Sequence, residues 1–297
     1  MTALHSGRRR PADWPALRAA QAHDAAARVP FIAVDVQRAG ATRMLGSVAR
    51  AHRSALGRWP RWLQIDDECV VLTAAAAERA EALATMHEQL RRDGLIRAWR
   101  DERFPLYARD GTDLGITIER AAARFWGTLT LGAHCNGYVA GADGVPRSLW
   151  IARRSDTKPT DPGLLDNLVG GGVPVGQTPL DTVVREGWEE AGLVPAQMTG
   201  LQRGGVVRLL RDIPEGLQRE WIHVFDLAME RDTVPHNQDG EGAELRLLDA
   251  AEVIELAADG SAMTIDAALV TLDFALRHRL LEPAAHDALS AAWARWQ

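Results

Sequence analysis

Cysteine is nearly absent from this chain: 297 residues contain two, Cys69 and Cys135, far apart and without the spacing of metal ligands. A disulfide framework and a cysteine-built zinc site are thereby excluded, and free thiols in a reducing cytoplasm are expected. Aromatic hydroxyls are also scarce, with two tyrosines and five phenylalanines beside ten tryptophans. Any stacking on a heterocycle would therefore fall to indoles, of which Trp126, Trp150 and Trp221 are candidates, the others being expected in the core. No apolar run approaches the length of a membrane-spanning helix, and no membrane partner is expected. Arg8-Arg9-Arg10 is followed by PADWPALRAAQAHDAAARVP, where charges and prolines replace the apolar stretch of a signal peptide, so a solvated tail is expected. Basic charge is not in excess: 34 Lys and Arg against 40 Asp and Glu leave a net charge of -6. A broad electrostatic footprint for a nucleic acid polymer or an anionic surface is excluded, and an anionic substrate must be held by a metal and local basic groups.

What is present is ordinary for a globular protein, 46% hydrophobic and 25% charged. The length suits two modest cores, and we divide the chain into residues 1–120 and 121–297. Residues 11–28 are alanine-rich and helix-like, 31–36 and 65–73 read as strands, and 74–92 repeats Ala, Leu and Met at helical spacing up to Arg91-Arg92-Asp93-Gly94. Further on, 137–140 and 148–152 flank the turn Ala142-Asp143-Gly144 as a hairpin expected at a sheet edge. Residues 206–210 and 221–227 make a second pair, 245–248 another strand, and 264–279 and 283–296 closing helices. The fold class is α/β.

Chemistry concentrates between Gly171 and Leu193, GGVPVGQTPLDTVVREGWEEAGL. Thr178 suits a helix N-cap, Pro179 the first helical position, Asp181 the first turn and Gly192 the stop. On that helix Glu186, Glu189 and Glu190 fall at i, i+3 and i+4, sharing one face, while Leu180, Val183, Val184, Gly187 and Ala191 form the opposite one. Carboxylates so placed repel one another unless a cation intervenes, and oxygen ligands favour Mg²⁺ or Mn²⁺. The glycines at 170, 171, 172 and 176 form a loop whose backbone a diphosphate can approach.

Gly171, with Arg185-Glu186-x-x-Glu189-Glu190-x-Gly192-Leu193 after it, resembles the Nudix box. Gln177 stands where that family usually has Glu, and Gly187 where it usually has an aliphatic residue. Flanking segments resemble the Nudix branch fused to fungal thiamine pyrophosphokinase: Ile96 to Pro105, Ile118-Glu119-Arg120, His134-Cys135-Asn136-Gly137-Tyr138-Val139, Leu149 to Ser155, Gly163 to Asn167, and Asn237 to Glu241. The resemblance implies a Nudix α/β/α sandwich with a mixed sheet, preceded by a small α/β domain of unknown role.

It also implies roles. Glu186, Glu189 and Glu190 would hold Mg²⁺ or Mn²⁺, Arg185 would orient them, and the general base would come from Glu241, with Glu244 and the helix carboxylates as alternatives. His134, Asn136, Arg153 and Lys158, with Gly171 and Gly172 of the loop, would bind substrate, and Arg154 stands beside them. The implied partner is a small organic diphosphate, thiamine diphosphate or its oxidised analogues, cleaved to the monophosphate and phosphate. A homodimer is compatible with this. ADP-ribose, a nucleotide sugar or an oxidised nucleotide is an alternative substrate, and a non-catalytic diphosphate-binding module an alternative function. An isomerase of the same fold would require a reactive cysteine, for which Cys135 is the candidate.

Overall fold

The computed structural model describes residues 13–34, 41–158, 160–238 and 242–296. The first part of the chain contains α1 (Pro15–Ala19), β1 (Arg28–Val34), β2 (Thr42–Ala49), α2 (Arg53–Leu56), β3 (Leu63–Ile65), β4 (Val70–Leu72) and α3 (Arg79–Arg92). Its strands form a sheet in the order β2-β1-β4-β3, with β1 antiparallel to β2 and parallel to β4. Alternation along β1 turns Val29, Phe31 and Ala33 inward, where they share a core with Leu83, Met86 and Leu90 on one stripe of α3.

Then follow β5 (Arg103–Tyr107), β6 (Asp113–Glu119), α4 (Arg120–Trp126), β7 (Leu129–Ala140), β8 (Pro146–Arg154), β9 (Leu165–Asn167), β10 (Val169–Gly172) and α5 (Pro179–Ala191). The chain closes with β11 (Gln202–Ile213), β12 (Gly216–Ala228), β13 (Gly242–Asp249), α6 (Ala250–Asp259), α7 (Ile265–Arg277) and α8 (Pro283–Trp296). Strands β5 to β13 make one mixed nine-stranded sheet. Its organising strand is β7. Along one edge β12 pairs with it in parallel from Leu129 to Tyr138. The other edge is shared, β10 taking Gly132 to Cys135 and β8 taking Gly137 to Ala140, so that the sheet forks at Asn136.

Side-chain alternation sorts the two faces. Ala133 and Cys135 of β7 meet Val183 and Ala191 of α5, while Ile222 and Val224 of β12 meet Val253 of α6 and Leu269 and Leu272 of α7. The result is an α/β/α sandwich. Phe125 and Trp126 of α4 belong to the first core, whereas Trp14 and Leu17 of α1 pack with α6 and α7. No helix among the described residues is long and apolar enough to cross a membrane.

Two expectations change. The hairpin of β7 and β8 lies inside the sheet, because β12, distant in sequence, covers the far edge of β7. The helix expected over 11–28 is confined to α1, because the backbone beyond it bonds to β11 instead: Leu210 and Asp212 N–H donate to the carbonyls of Ala20 and Ala22. Arg28 then closes on Asp212 at 2.6 Å.

Candidate active site

Helix α5 begins as its sequence dictates. Asp181 N–H donates to the Thr178 hydroxyl at 3.2 Å, and Thr178 N–H donates to the Asp181 carboxylate at 2.9 Å. This capping box satisfies two backbone donors that would otherwise be orphaned. Gly192 ends the helix at φ 65°. Val183, Gly187 and Ala191 are buried, but Leu180 stays in solvent, and Thr182 takes the inward position instead. At Gly187 the terminal methyl of Met198 lies 2.5 Å from where a Cβ would stand. Methionine thus fills the space that an aliphatic side chain on the helix would occupy.

The acidic face is organised by Arg185. Its guanidinium donates to Glu186 at 2.7 Å and to Glu189 at 2.6 Å, and its Nε donates to the Gln177 amide oxygen at 3.3 Å. The Thr182 hydroxyl donates to the same oxygen at 3.0 Å. Gln177 therefore braces Arg185 as an acceptor without adding negative charge. Glu190 turns the other way and accepts the Gly170 N–H at 2.9 Å. Burial raises the Glu186 carboxyl above its ordinary range despite Arg185, and burial followed by the charge of Glu186 pushes Glu190 well above it. A Cβ at Gly171 would lie 2.3 Å from a Glu186 oxygen, so only glycine lets strand β10 and this carboxylate approach so closely.

The glycines 170–172 wall a cavity of about 200 Å³. His134 and the side chains of Arg120, Arg124, Arg154 and Arg211 also line it, together with Asp161, Asp166, Glu215, Glu220 and Asp266. Among the described residues, no aromatic ring apart from the imidazole of His134 is on its wall. A recess of about 30 Å³, lined by Arg153, Arg154, Lys158, Asn167, Glu190 and Asn237, adjoins it. Arg154 borders both spaces, holding Asp166 at 2.9 Å.

Of the residues singled out from sequence, Glu186, Glu189, Glu190 and Arg185 come together around the loop of Gly171 and Gly172, and His134 lines the cavity. Arg153 and Lys158 border the recess beside Glu190, with Arg153 held by Asp156 at 2.6 Å. Asn136 does not reach the cavity: it is 1% exposed and its amide is engaged by Asp226 and Asn167. Glu241 lies outside the described residues. Glu244 is paired with Arg246 at 2.5 Å, which holds its carboxyl below the ordinary range.

The tryptophans are elsewhere. Trp126 stacks on Phe31 and donates to His87, Trp150 is buried against α5, and Trp221 lies under Arg208. Cys135 points into the apolar core, where burial pushes its thiol far up, so it offers no reactive sulfur to the cavity.

Several cavity residues escaped sequence reading. Arg120 and Asp166 lie within flanking segments already singled out, but Arg124, Arg211, Asp161 and Asp266 belong to no motif. Arg120 and Arg124 stand on α4, ahead of the larger sheet's central strand. Arg120 is held at 2.8 Å by Glu102.

The donor set suits a hard divalent ion: oxygen ligands only, with two carboxyls whose burial disfavours their charge. As they stand, no three His, Cys, Asp or Glu side chains among the described residues are gathered to hold one. Arg185 holds Glu186 and Glu189, while Glu190 is turned to the Gly170 N–H.

The NUDIX domain profile matches residues 138–267, which contain α5 and most of the larger sheet. These residues are a Nudix domain. Residues 20–130 match a domain of unknown function, DUF4743. Nudix hydrolase 24, chloroplastic, of Arabidopsis thaliana is 36% identical over 206 residues, 69% of this chain and 56% of its own length. Nudix hydrolase 20, chloroplastic, of the same plant is 35% identical, with 69% and 54% covered. An uncharacterized protein of Saccharomyces cerevisiae is 30% identical over 63% of this chain and 58% of its own. The chain thus spans about half the length of the curated relatives it matches. A crystal structure from Deinococcus radiodurans, 21% identical, aligns with a TM-score of 0.46 over 57% of this chain and 97% of that one.

Proposed function

We propose that this chain is a divalent-metal-dependent hydrolase that opens the phosphoric anhydride of an organic diphosphate, releasing a monophosphate and inorganic phosphate. The observation that carries this reading is the seating of Glu186 and Glu190, both with raised carboxyls, against a glycine strand that walls an arginine-lined cavity. Glu186, Glu189 and Glu190 are the residues that would hold Mg²⁺ or Mn²⁺, which supplies charge neutralisation at the phosphoryl oxygens and polarises the attacking water. Arg185 positions Glu186 and Glu189. Arg120, Arg124, Arg154 and Arg211 bind phosphoryl oxygens, and Gly171 and Gly172 let the diphosphate lie against backbone. Glu241 takes the water's proton.

Within this class we assign thiamine diphosphate or its oxidised analogues as substrate. Two features of the cavity support that choice over a nucleotide. Its wall carries Asp161, Asp166 and Asp266 beside the arginines, and these suit a ring that is cationic or rich in N–H donors. Among the described residues its wall also has no tryptophan, tyrosine or phenylalanine on which a purine would stack. The relatives' names support hydrolysis over mere binding.

The test is phosphate release from thiamine diphosphate, oxythiamine diphosphate, ADP-ribose and a nucleotide sugar, with Mg²⁺ and with chelator. Metal-dependent release from the thiamine compounds is expected. Binding without release from any of them would defeat the hydrolase reading, and release from ADP-ribose alone would defeat the substrate assignment.

A further inference from the structure

His134 and Asn136, two apart on β7, share the sheet face that looks toward α7, and a line of hydrogen bonds runs from the cavity through both of their surroundings to Asp226. Asp226 is 2% exposed. Arg277 grips both of its oxygens, and His278 Nε2 lies 3.0 Å from one of them. Burial works against its charge, but the hydrogen bonds from His278 and Arg277 outweigh it and hold the carboxyl low. An ionised carboxylate can only accept.

That single fact orients every group up the line. The Asn136 amide must present Nδ2 to Asp226, at 3.0 Å, which turns its oxygen toward Asn167. Asn167 must then present Nδ2 to that oxygen, at 3.2 Å, with the Thr271 hydroxyl also within reach at 3.4 Å. The Asn167 oxygen is left facing His134 Nδ1 at 2.9 Å. An amide oxygen accepts, so Nδ1 carries the proton. In the neutral ring Nε2 is then an unprotonated acceptor, and among the described residues it has no hydrogen-bond partner.

We propose that the chain Asp226, Asn136, Asn167 fixes the Nδ1–H tautomer of His134, and that His134 Nε2 accepts a hydrogen bond from an N–H or O–H of the substrate's organic group. A phosphate oxygen, ionised and itself an acceptor, is repelled from this position, so His134 divides the cavity into an organic end and a phosphate end. Asn136, Asn167 and Asp226 are positioning residues that act through the imidazole. This inference rests on the cavity being the substrate site.

The experiment is a long-range ¹H–¹⁵N correlation spectrum of the full-length ¹⁵N-labelled protein at pH 7.5. His134 is assigned among the nine histidines by its loss in His134→Gln. The wild type is expected to show a protonated Nδ1 and an unprotonated Nε2, and Asn136→Leu, which cuts the chain, to shift the ring toward Nε2–H. Thiamine monophosphate with Mg²⁺ should move the Nε2 signal, and inorganic phosphate should not.

A protonated Nε2 in the wild type overturns the proposal, whether or not the variant folds. So does an unchanged tautomer in Asn136→Leu. An Nε2 signal that inorganic phosphate moves, or that thiamine monophosphate leaves in place, overturns the assignment of the organic end. If the tautomer is as expected but thiamine diphosphate is not hydrolysed, the substrate reading fails and the tautomer assignment stands.

Discussion

Gly187 and Met198 should behave as two halves of one packing unit, and a double-mutant cycle measures how tightly they are joined. The Gly187→Ala methyl would stand 2.5 Å from Met198 Cε and 2.6 Å from its sulfur, inside contact distance. Alanine in a helix interior is worth about 1 kcal/mol over glycine. Forcing extra volume into a packed site costs about 1–3 kcal/mol, and a flexible methionine keeps this toward the lower figure. Met198 is 3% exposed, however, and packed in the core beneath α5, so it has little room to retreat. The single substitution should therefore leave stability unchanged or lower it by about 1 kcal/mol, erasing the helical gain.

Met198→Ala should cost about 2–5 kcal/mol through lost burial and the cavity left behind. In the double variant the new methyl enters vacated space, so the helical gain reappears and part of the cavity closes. The double variant should be about 1–2 kcal/mol more stable than the sum of the singles implies. Urea unfolding of the four proteins, with m-values compared, supplies the cycle. Additivity within about 0.5 kcal/mol, or Gly187→Ala more stable than wild type by the full helical gain, would refute the idea that methionine occupies the place of a helix side chain.

Glu190→Gln keeps an acceptor for Gly170 N–H but removes the charge, so turnover should fall at least about a hundredfold while the thermal midpoint holds or rises; near-normal phosphate release would undo the metal assignment. Glu241→Gln should lower kcat about 10²–10⁴-fold with Mg²⁺ affinity unchanged, and a full-rate variant would send the search for the base back to the helix carboxylates. Asp226→Asn should cost about 1.5–3 kcal/mol at neutral pH by removing one of the two buried carboxylates that hold Arg277. Because the folded Asp226 carboxyl is held low, its contribution is present above the unfolded value of about 3.9 and is lost as pH falls through the folded one. Acid titrations of wild type and variant should therefore begin to converge below about pH 4 and go on converging as pH falls, and a gap that does not narrow with falling pH would contradict the assignment.

The acidic helix α5 was legible because its information is local. Thr178, Asp181 and Gly192 name their own positions in a cap, and Arg185 with its glutamates lies within two turns. The hairpin of β7 and β8 was legible for the same reason, through Asp143 and Gly144. Its place in the sheet was not, since that depends on β12, some ninety residues away in the register that pairs Asn136 with Asp226. The cavity wall suffers more from this. Arg124, Arg211 and Asp266 come from α4, β11 and α7 and are neighbours only after folding. Asn136 shows a subtler failure: its motif suggested a substrate contact, but only burial reveals that its partners are protein groups.

The fork in β7 bears on how this protein can be taken apart. The Nudix domain profile begins at residue 138, while β7 runs from Leu129 and lends its edges to β12 and β10 before that point. A fragment cut there would divide one strand in two and discard His134, Asn136 and the arginines of α4. It would also bare the ladder of β12 between Arg219 and Leu227, an open template for strand addition. Such a fragment should aggregate, whatever its share of the motif, because the smallest piece that closes the sheet extends past the family boundary into the segment before it.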